Sequence, residues 1–446
     1  MKIIIAGAGN VGFHLAKMLS SEAQDIYLLD KNEERLQFVA SQIDVFTIHG
    51  DAKSIEVMEK ATVSSCDLII AVTSSEETNM LVCMLAKKFG AKRTIARIND
   101  VDIIKNNKEQ FYNDLGIDTL ISPTHLATME IERLIHRAVF TDDLEFENGK
   151  LTVFGICVDK NSPLVDKTIK ESSYLNPDLS FKPIALHRNE ETIMIKNDTV
   201  LLSNDIVYFI SNQESIDSII KVCGKESFKI KDIMILGGSR IGVYAAELLE
   251  SNFNVTLVEK DKERCEVIAG MLKRTLVINL DGHDVKQLED EGLRDMDAFV
   301  TVTADSEMNI MSSLVAKNHG VKKTIARVEN IDYIHLSQAI GVDTLINKKI
   351  IAASNIFKYV RKGNVSSVAS LHGVDAEIIE FIVNPKSKVT KAPIKDLKFP
   401  KTSNIAGVIR KGKGIIPFGD FQLQSQDKAI VFSLTESIHK IEKFFQ

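Results

Sequence analysis

The chain has no hydrophobic run approaching the ~20 apolar residues that a membrane span requires, so the sequence predicts no direct membrane insertion. It has no block of like charge either. Its 55 Lys and Arg and 61 Asp and Glu give a net charge of −6 and are spread along the chain. Nucleic-acid binding asks for a basic domain or a clustered Lys/Arg face, and that class is excluded. Cysteine is scarce and odd in number. The five residues Cys66, Cys83, Cys157, Cys223 and Cys265 have no C-x-x-C spacing. This argues against a disulfide framework or a zinc site and for buried thiols in a reducing compartment. The first residues, MKIIIAGAGN, turn on glycines where a signal peptide needs an unbroken apolar core, so the expected location is cytoplasmic.

Catalytic equipment is also missing. There is no G-x-S-x-G elbow, no H-E-x-x-H and no Walker lysine motif. The Tyr-x-x-x-Lys spacing of Tyr27 and Lys31 falls across the end of an expected strand rather than on a helix. His125 and His136 share an expected helix but stand too far apart to hold one metal ion. A dehydrogenase needs a group that takes or gives the proton accompanying hydride transfer, and none is evident. The sequence therefore predicts a non-enzyme with no metal site.

What is present is a duplication. Gly7-Ala8-Gly9-Asn10-Val11-Gly12 corresponds to Gly237-Gly238-Ser239-Arg240-Ile241-Gly242. On the same diagonal Asp51 meets Asp281, Thr73 meets Thr303, and Thr94-Ile95-Ala96-Arg97 recurs as Thr324-Ile325-Ala326-Arg327. Fixed-period self-similarity of this kind marks a repeated structural unit. Within the first copy, strand-length apolar runs (Lys2–Ala6, Ile26–Leu29, Val45–Ile48, Leu68–Val72, Thr94–Ile98) alternate with helical periodicity (Val11–Ser20, Glu33–Ser41, Ile55–Ala61, Thr78–Phe89). That alternation predicts βαβ units: an α/β, Rossmann-like, doubly wound parallel sheet buried on both faces.

After each such unit comes one helix, near 123–140 and 348–361, and then a smaller α+β segment. In the first small segment the expected strands are Leu151–Val158, Thr192–Ile195 and Ile206–Ile210, around a helix at Val165–Ser172. In the second they are Glu377–Val383, Ile405–Arg410 and Lys428–Phe432. The 446 residues thus divide into Rossmann-like domains at 1–122 and 230–347 and small α+β domains at 140–226 and 365–446. The expected boundaries lie near 140, 228 and 364.

The candidate sites follow from the glycine turns. Each follows a strand, opens a helix, and is followed within about 20 residues by an acid that ends the next strand, Asp30 or Glu259. Gly7 permits the tight turn, Gly9 lets a pyrophosphate approach the backbone, and Gly12 lets the helix pack on its strand. The helix start offers free N–H groups and partial positive charge to phosphate. Asp30 is expected to accept from ribose hydroxyls and to disfavour a 2′-phosphate, so NAD(H) is the expected ligand. The second turn departs from this pattern. Ser239 brings a Cβ to the place of closest approach, and Arg240 adds a cation able to grip phosphate, which favours ATP or ADP, or weak NAD(H) binding. Asp51 and Asp281, Thr73-Ser74 and Thr303-Ala304, and Arg97 and Arg327 end later strands, where ligands sit in open α/β sheets. The competing role for each Asp or Thr is to cap the next helix.

G-A-G-x-V-G at the N-terminus, the acid at 30, G-D-A at 50–52, T-S-S-E-E-T-N at 73–79 and I-A-R at 95–97 resemble the regulator-of-potassium-conductance (RCK, or KTN) family. The segments at about 140–226 and 365–446 resemble its C-terminal companion domain. Two such pairs in tandem resemble the peripheral regulatory subunits of Trk potassium-uptake systems. The resemblance implies NAD(H) or adenine-nucleotide binding and assembly of chains into a ring. It further implies a position on the inner face of the plasma membrane beneath an integral-membrane potassium channel or transporter subunit. By the same resemblance Gly7 to Gly12, Asp30, Asp51, Thr73, Ser74 and Arg97 carry the first site. Gly237 to Gly242, Glu259, Asp281, Thr303, Ala304 and Arg327 carry the second. The rival readings are a duplicated NAD-dependent oxidoreductase and a regulator of a different cation transporter.

Overall fold

In the computed structural model, which describes residues 1–445 apart from 21–23, 106–108, 137, 141–142, 190, 226–227, 331–332, 334–339, 361–364 and 371–375, the apolar runs of the first half pair in parallel. They are β1 (Lys2–Ala6), β2 (Asp25–Asp30), β3 (Phe46–His49), β4 (Leu68–Ala71), β5 (Arg93–Arg97) and β6 (Thr119–Ile121). The order across the sheet is β3-β2-β1-β4-β5-β6. All four residues of β4 are buried, as expected of a strand with helices on both faces. Ile3 of β1 pairs with Ile26 on one side and Leu68 on the other. The chain therefore leaves β1 in opposite directions, and the order reverses at that strand, where α/β sheets open a crevice.

The second half repeats the arrangement. Strands Asp232–Leu236, Asn254–Glu259, Leu276–Asn279, Ala298–Thr301, Lys323–Arg327 and Thr344–Ile346 take the places of β1 to β6 in the same order. Two five-stranded antiparallel sheets form the small units. The two share one apolar interface, in which Leu151, Tyr208 and Ile210 meet Ile378, Ile430 and Phe432. A buried acid recurs in each: Arg188 Nε donates to Asp205 Oδ1 at 2.7 Å, and Arg410 Nε to Asp427 Oδ1 at 2.8 Å.

The helices that follow the two parallel sheets are exchanged. The first, Pro123–His136, buries Ala127, Ile131, Leu134 and Ile135 in the core of the second sheet, against the helix Arg240–Leu249. The other, Lys348–Val360, buries Ala353, Ile356, Phe357 and Val360 in the core of the first sheet, against Asn10–Ser20. Each half completes its partner's core. The two crossover helices also pack on one another.

Three sequence expectations need correction. Val165–Ser172 is not a helix: it forms the short strand Lys167–Thr168 and the single 3₁₀ turn Glu171–Leu175. Asp166 has φ +60°, a left-handed conformation that ends any right-handed helix through it. The helix of that unit is Ile216–Val222. A long strand, Phe181–Arg188, was not anticipated, because Pro183 interrupts its pattern; the pairing absorbs the proline at a bulge between Pro183 and Ala185. Met129, which helical spacing places with Leu126, Leu134 and Ile135 on the apolar face of its helix, is exposed. The boundaries expected at 226 and near 364 fall on residues outside those described.

The cysteines are all free thiols, four buried and Cys157 half-buried. Burial pushes Cys66 up to about 11 and Cys223 up to about 12, so these thiols stay protonated at neutral pH. Among the described residues no helix is long and apolar enough to cross a membrane, and no His, Cys, Asp and Glu cluster could hold a metal ion.

Candidate functional site

The crevice at the carboxyl end of β1 is a cavity of about 440 Å³. Its floor is the glycine turn. Gly7 has φ +114°, and a Cβ there would stand 3.0 Å from the Thr73 nitrogen. A Cβ on Gly12 would lie 1.9 Å from the Gly7 carbonyl oxygen, so only glycine lets the helix start this close to the turn. Around Gly9 there is open space, which leaves its backbone accessible to a ligand. Gly7, Gly9, Asn10 and Val11 line the cavity; Gly12 lies buried beneath it. Ala8 is buried, and its N–H donates to Asp30 Oδ2 at 2.6 Å, while Asn32 N–H donates to Asp30 Oδ1 at 2.8 Å. The acid at the end of β2 therefore braces the turn and borders the crevice.

Asp51, Thr73, Ser74 and Arg97 reach the same cavity. Asp51 has local work as well: its Oδ1 accepts from Lys53 N–H at 3.0 Å, and its Oδ2 pairs with Lys31 at 3.0 Å. These bonds, the backbone one foremost, hold its carboxyl below the usual range. The cap of the next helix in sequence after Thr73 is Ser75, whose Oγ accepts from Thr78 N–H at 3.0 Å. Arg97 lies partly buried, and among the described residues its Nε has no partner. Desolvation pulls its pKa down, and the charge of Glu329 from the other half opposes that.

Sequence reasoning missed four groups. Asn79, fully buried, accepts from Thr73 N–H at 2.8 Å and from Thr73 Oγ1 at 2.7 Å, and donates to the Arg97 carbonyl at 2.8 Å. It ties the ends of β4 and β5 together. The signal was available, because the last residue of T-S-S-E-E-T-N recurs as Asn309 with the same bonds to Thr303 and Arg327. Arg35, just past the Asn32 cap, also lines the cavity. Lys348 and Lys349 come from the exchanged helix of the second half, and no local pattern could have assigned them here. Lys349 Nζ pairs with Glu329 Oε2 at 2.6 Å, Lys348 Nζ lies 3.6 Å from Glu329 Oε1, and Arg327 binds the same carboxylate. Burial works against the charged form of Glu329, yet hydrogen bonds from Lys349 and Arg327 and the charges of Lys348 and Arg327 hold its carboxyl at about 2.

The second crevice repeats the scaffold with different occupants. Gly237 has φ +113°, and Gly238 N–H donates to Glu259 Oε2 at 2.7 Å. Ser239, whose Cβ stands at the expected place of closest approach, turns its hydroxyl inward. It donates to the Val302 carbonyl at 2.9 Å and accepts from Gly242 N–H at 3.3 Å, which caps the helix Arg240–Leu249. Ile241 and Gly242 are buried, and Arg240 is exposed at the helix start. Arg264 Nη2 donates to the Gly238 carbonyl at 3.1 Å, placing a guanidinium at the turn. Asp281 is held below its usual range chiefly by hydrogen bonding from His283. Thr303 repeats the bonds of Thr73, with Ala304 in the position of Ser74. Arg327 donates to the Thr303 carbonyl at 3.2 Å besides binding Glu329. The first crevice thus gathers cations, and among the described residues no acid of its own half pairs with Arg97, while the second has its strand-end arginine paired with Glu329.

Comparison with known proteins gives one consistent result. The TrkA-N domain family matches residues 3–123 and 233–348, and the TrkA-C domain family matches residues 153–224 and 378–446. Trk system potassium uptake protein TrkA homolog 1 of Methanosarcina mazei is 31% identical over 100% of both chains. Trk system potassium uptake protein TrkA of Haemophilus influenzae is 32% identical over 100% of this chain and 99% of its own. Among solved structures, the GsuK channel bound to NAD superposes with a TM-score of 0.60 at 16% identity, covering 100% of this chain and 78% of that one. The GsuK RCK domain gives the same score over 94% of its length.

Proposed function

Because the chain belongs to the TrkA family, with two TrkA-N and TrkA-C pairs in tandem, we propose that it is a nucleotide-sensing regulatory subunit of a potassium-uptake channel or transporter. The observation that carries this reading is the composite first crevice. One half supplies the glycine turn, Asp30 and Arg97, and the other supplies Lys348 and Lys349. A ligand there touches both halves, so its binding energy depends on how they are packed. A ligand shifts a conformational equilibrium only by its differential affinity for the two states, and this geometry provides one. The turn and Asp30 fit the pyrophosphate and ribose of NAD(H). The surrounding cations fit the terminal phosphates of ADP or ATP, which makes the first site the stronger candidate for those ligands too.

The ligand is read rather than converted, and the output is a change in packing. Assembly into a ring is supported by apolar residues exposed at matching positions on corresponding helices, Leu81 at 41% and Met311 at 60%. The chain would sit on the cytoplasmic face, held through its membrane partner. The test is titration of the full chain with NADH, ADP and ATP, with scattering profiles and potassium flux through the copurified membrane partner. Binding at micromolar levels with a changed profile and flux is the expected outcome. Absence of binding at millimolar levels, or steady consumption of NADH with a small substrate, defeats the reading.

A further inference from the structure

A second cavity, of about 410 Å³, lies in the first small unit, far in sequence from both glycine turns. Its volume falls in the range of small-molecule sites, roughly 300–1,000 Å³. The walls are apolar, with Leu175, Phe181, Ile195 and Phe209 among them. The charged lining is of one sign: Lys170, Lys182 and Lys196 face it, and among the described residues no carboxylate does. Lys182 is partly buried and donates only to neutral oxygens, Asn404 Oδ1 at 3.0 Å and the Ile405 and Pro417 carbonyls at 3.2 and 3.4 Å. Desolvation pulls its ammonium down to about 8, so it is still largely charged at neutral pH. A desolvated cation normally has a counter-ion, and among the described residues this one has none. The Ser172 hydroxyl in the same wall is buried and, among the described residues, has no hydrogen-bond partner. Two exposed apolar side chains, Leu179 and Phe418, also border the cavity, the second belonging to the other small unit.

We propose that this cavity binds a small amphiphilic anion, a carboxylate with an apolar body, whose charged group meets Lys182 while its body fills the apolar space. Because Asn404 and Phe418 complete the wall, such a ligand would bear on the contact between the two small units. The proposal stands apart from the nucleotide reading, since none of its residues lines the first crevice. The probes are octanoate, octanol and acetate, titrated calorimetrically into the full chain at pH 7. Octanoate is expected to bind at one site at least ten-fold more tightly than either of the others, and Lys182→Met is expected to weaken it at least ten-fold with NADH affinity unchanged. Lys170 and Lys196 are exposed, so Lys170→Gln/Lys196→Gln keeps the fold even if Lys182→Met does not, and should weaken octanoate several-fold. Equal affinity for octanoate and octanol, no octanoate binding at millimolar levels, or unchanged affinity in the double variant would overturn the proposal.

Discussion

Single residues hold the first crevice open in ways that can be measured. Asn79 satisfies the Thr73 N–H and the Arg97 carbonyl at the ends of β4 and β5. Removing the partner of a buried polar group costs about 1–3 kcal/mol per group. Asn79→Ala should therefore destabilise the first Rossmann unit by about 3 kcal/mol and weaken nucleotide binding there about ten-fold, read by scanning and titration calorimetry. Unchanged binding in a folded variant would separate Asn79 from the site. Glu329 behaves differently because its contribution is electrostatic. Its carboxyl, at about 2, sits below the ordinary glutamate value of 4.5, so the stabilisation is complete above 4.5 and is lost as pH falls toward 2. Solvent screening of a partly exposed cluster limits it to about 1–2 kcal/mol. Wild type should exceed Glu329→Gln by that margin from pH 6 to 8, and the two should converge between pH 4.5 and 2. The same substitution frees Lys348, Lys349 and Arg327 from a shared anion, so ATP should bind Glu329→Gln more tightly than wild type at neutral pH.

At the scale of elements, the parallel sheets were legible because short apolar runs end at glycines and acids. Lys2–Ala6 was read with the same limits that β1 has, and Gly7, Asp30, Asp51, Thr73 and Arg97 do meet in one crevice. What was not legible is where an amphipathic helix buries its face. Periodicity marks Ile356, Phe357 and Val360 as inward, yet the core they enter belongs to the other half of the chain. The small units were harder still. A left-handed Asp166, whose N–H donates to the Leu201 carbonyl at 2.9 Å, and a Pro183 accommodated at a bulge override local propensity there. The exchange makes a sharp prediction. Phe357→Ala, removing a buried aromatic, should cost about 3–5 kcal/mol. The loss should appear in the first sheet: hydrogen exchange of Lys2–Ala6 should speed up more than that of Asp232–Leu236. Faster exchange confined to the second sheet would contradict the observed packing.

For the whole molecule, the exchange turns two repeats into one cooperative body. The helix Pro123–His136 has its apolar face against Arg240–Leu249, and Asn10–Ser20 has its own against Lys348–Val360. A fragment of residues 1–225 retains one donor helix and one acceptor face that cannot reach each other in the way the full chain uses. Two such fragments can satisfy both by reciprocal exchange, the isologous arrangement natural to a two-fold dimer. Sedimentation equilibrium should accordingly find the first-half fragment dimeric at micromolar concentration, with Ile131→Asp returning it to a monomer of lower stability. In that dimer each crevice would be bordered by Pro123 and Thr124 at the start of the partner's helix, where the full chain has Lys348 and Lys349. The dimer should therefore keep NADH binding at the glycine turn but lose much of its preference for ATP. A monomeric fragment that bound ATP as tightly as the full chain would show that the second half contributes nothing to the first site, and would remove the physical basis for coupling nucleotide binding to the packing of the two halves.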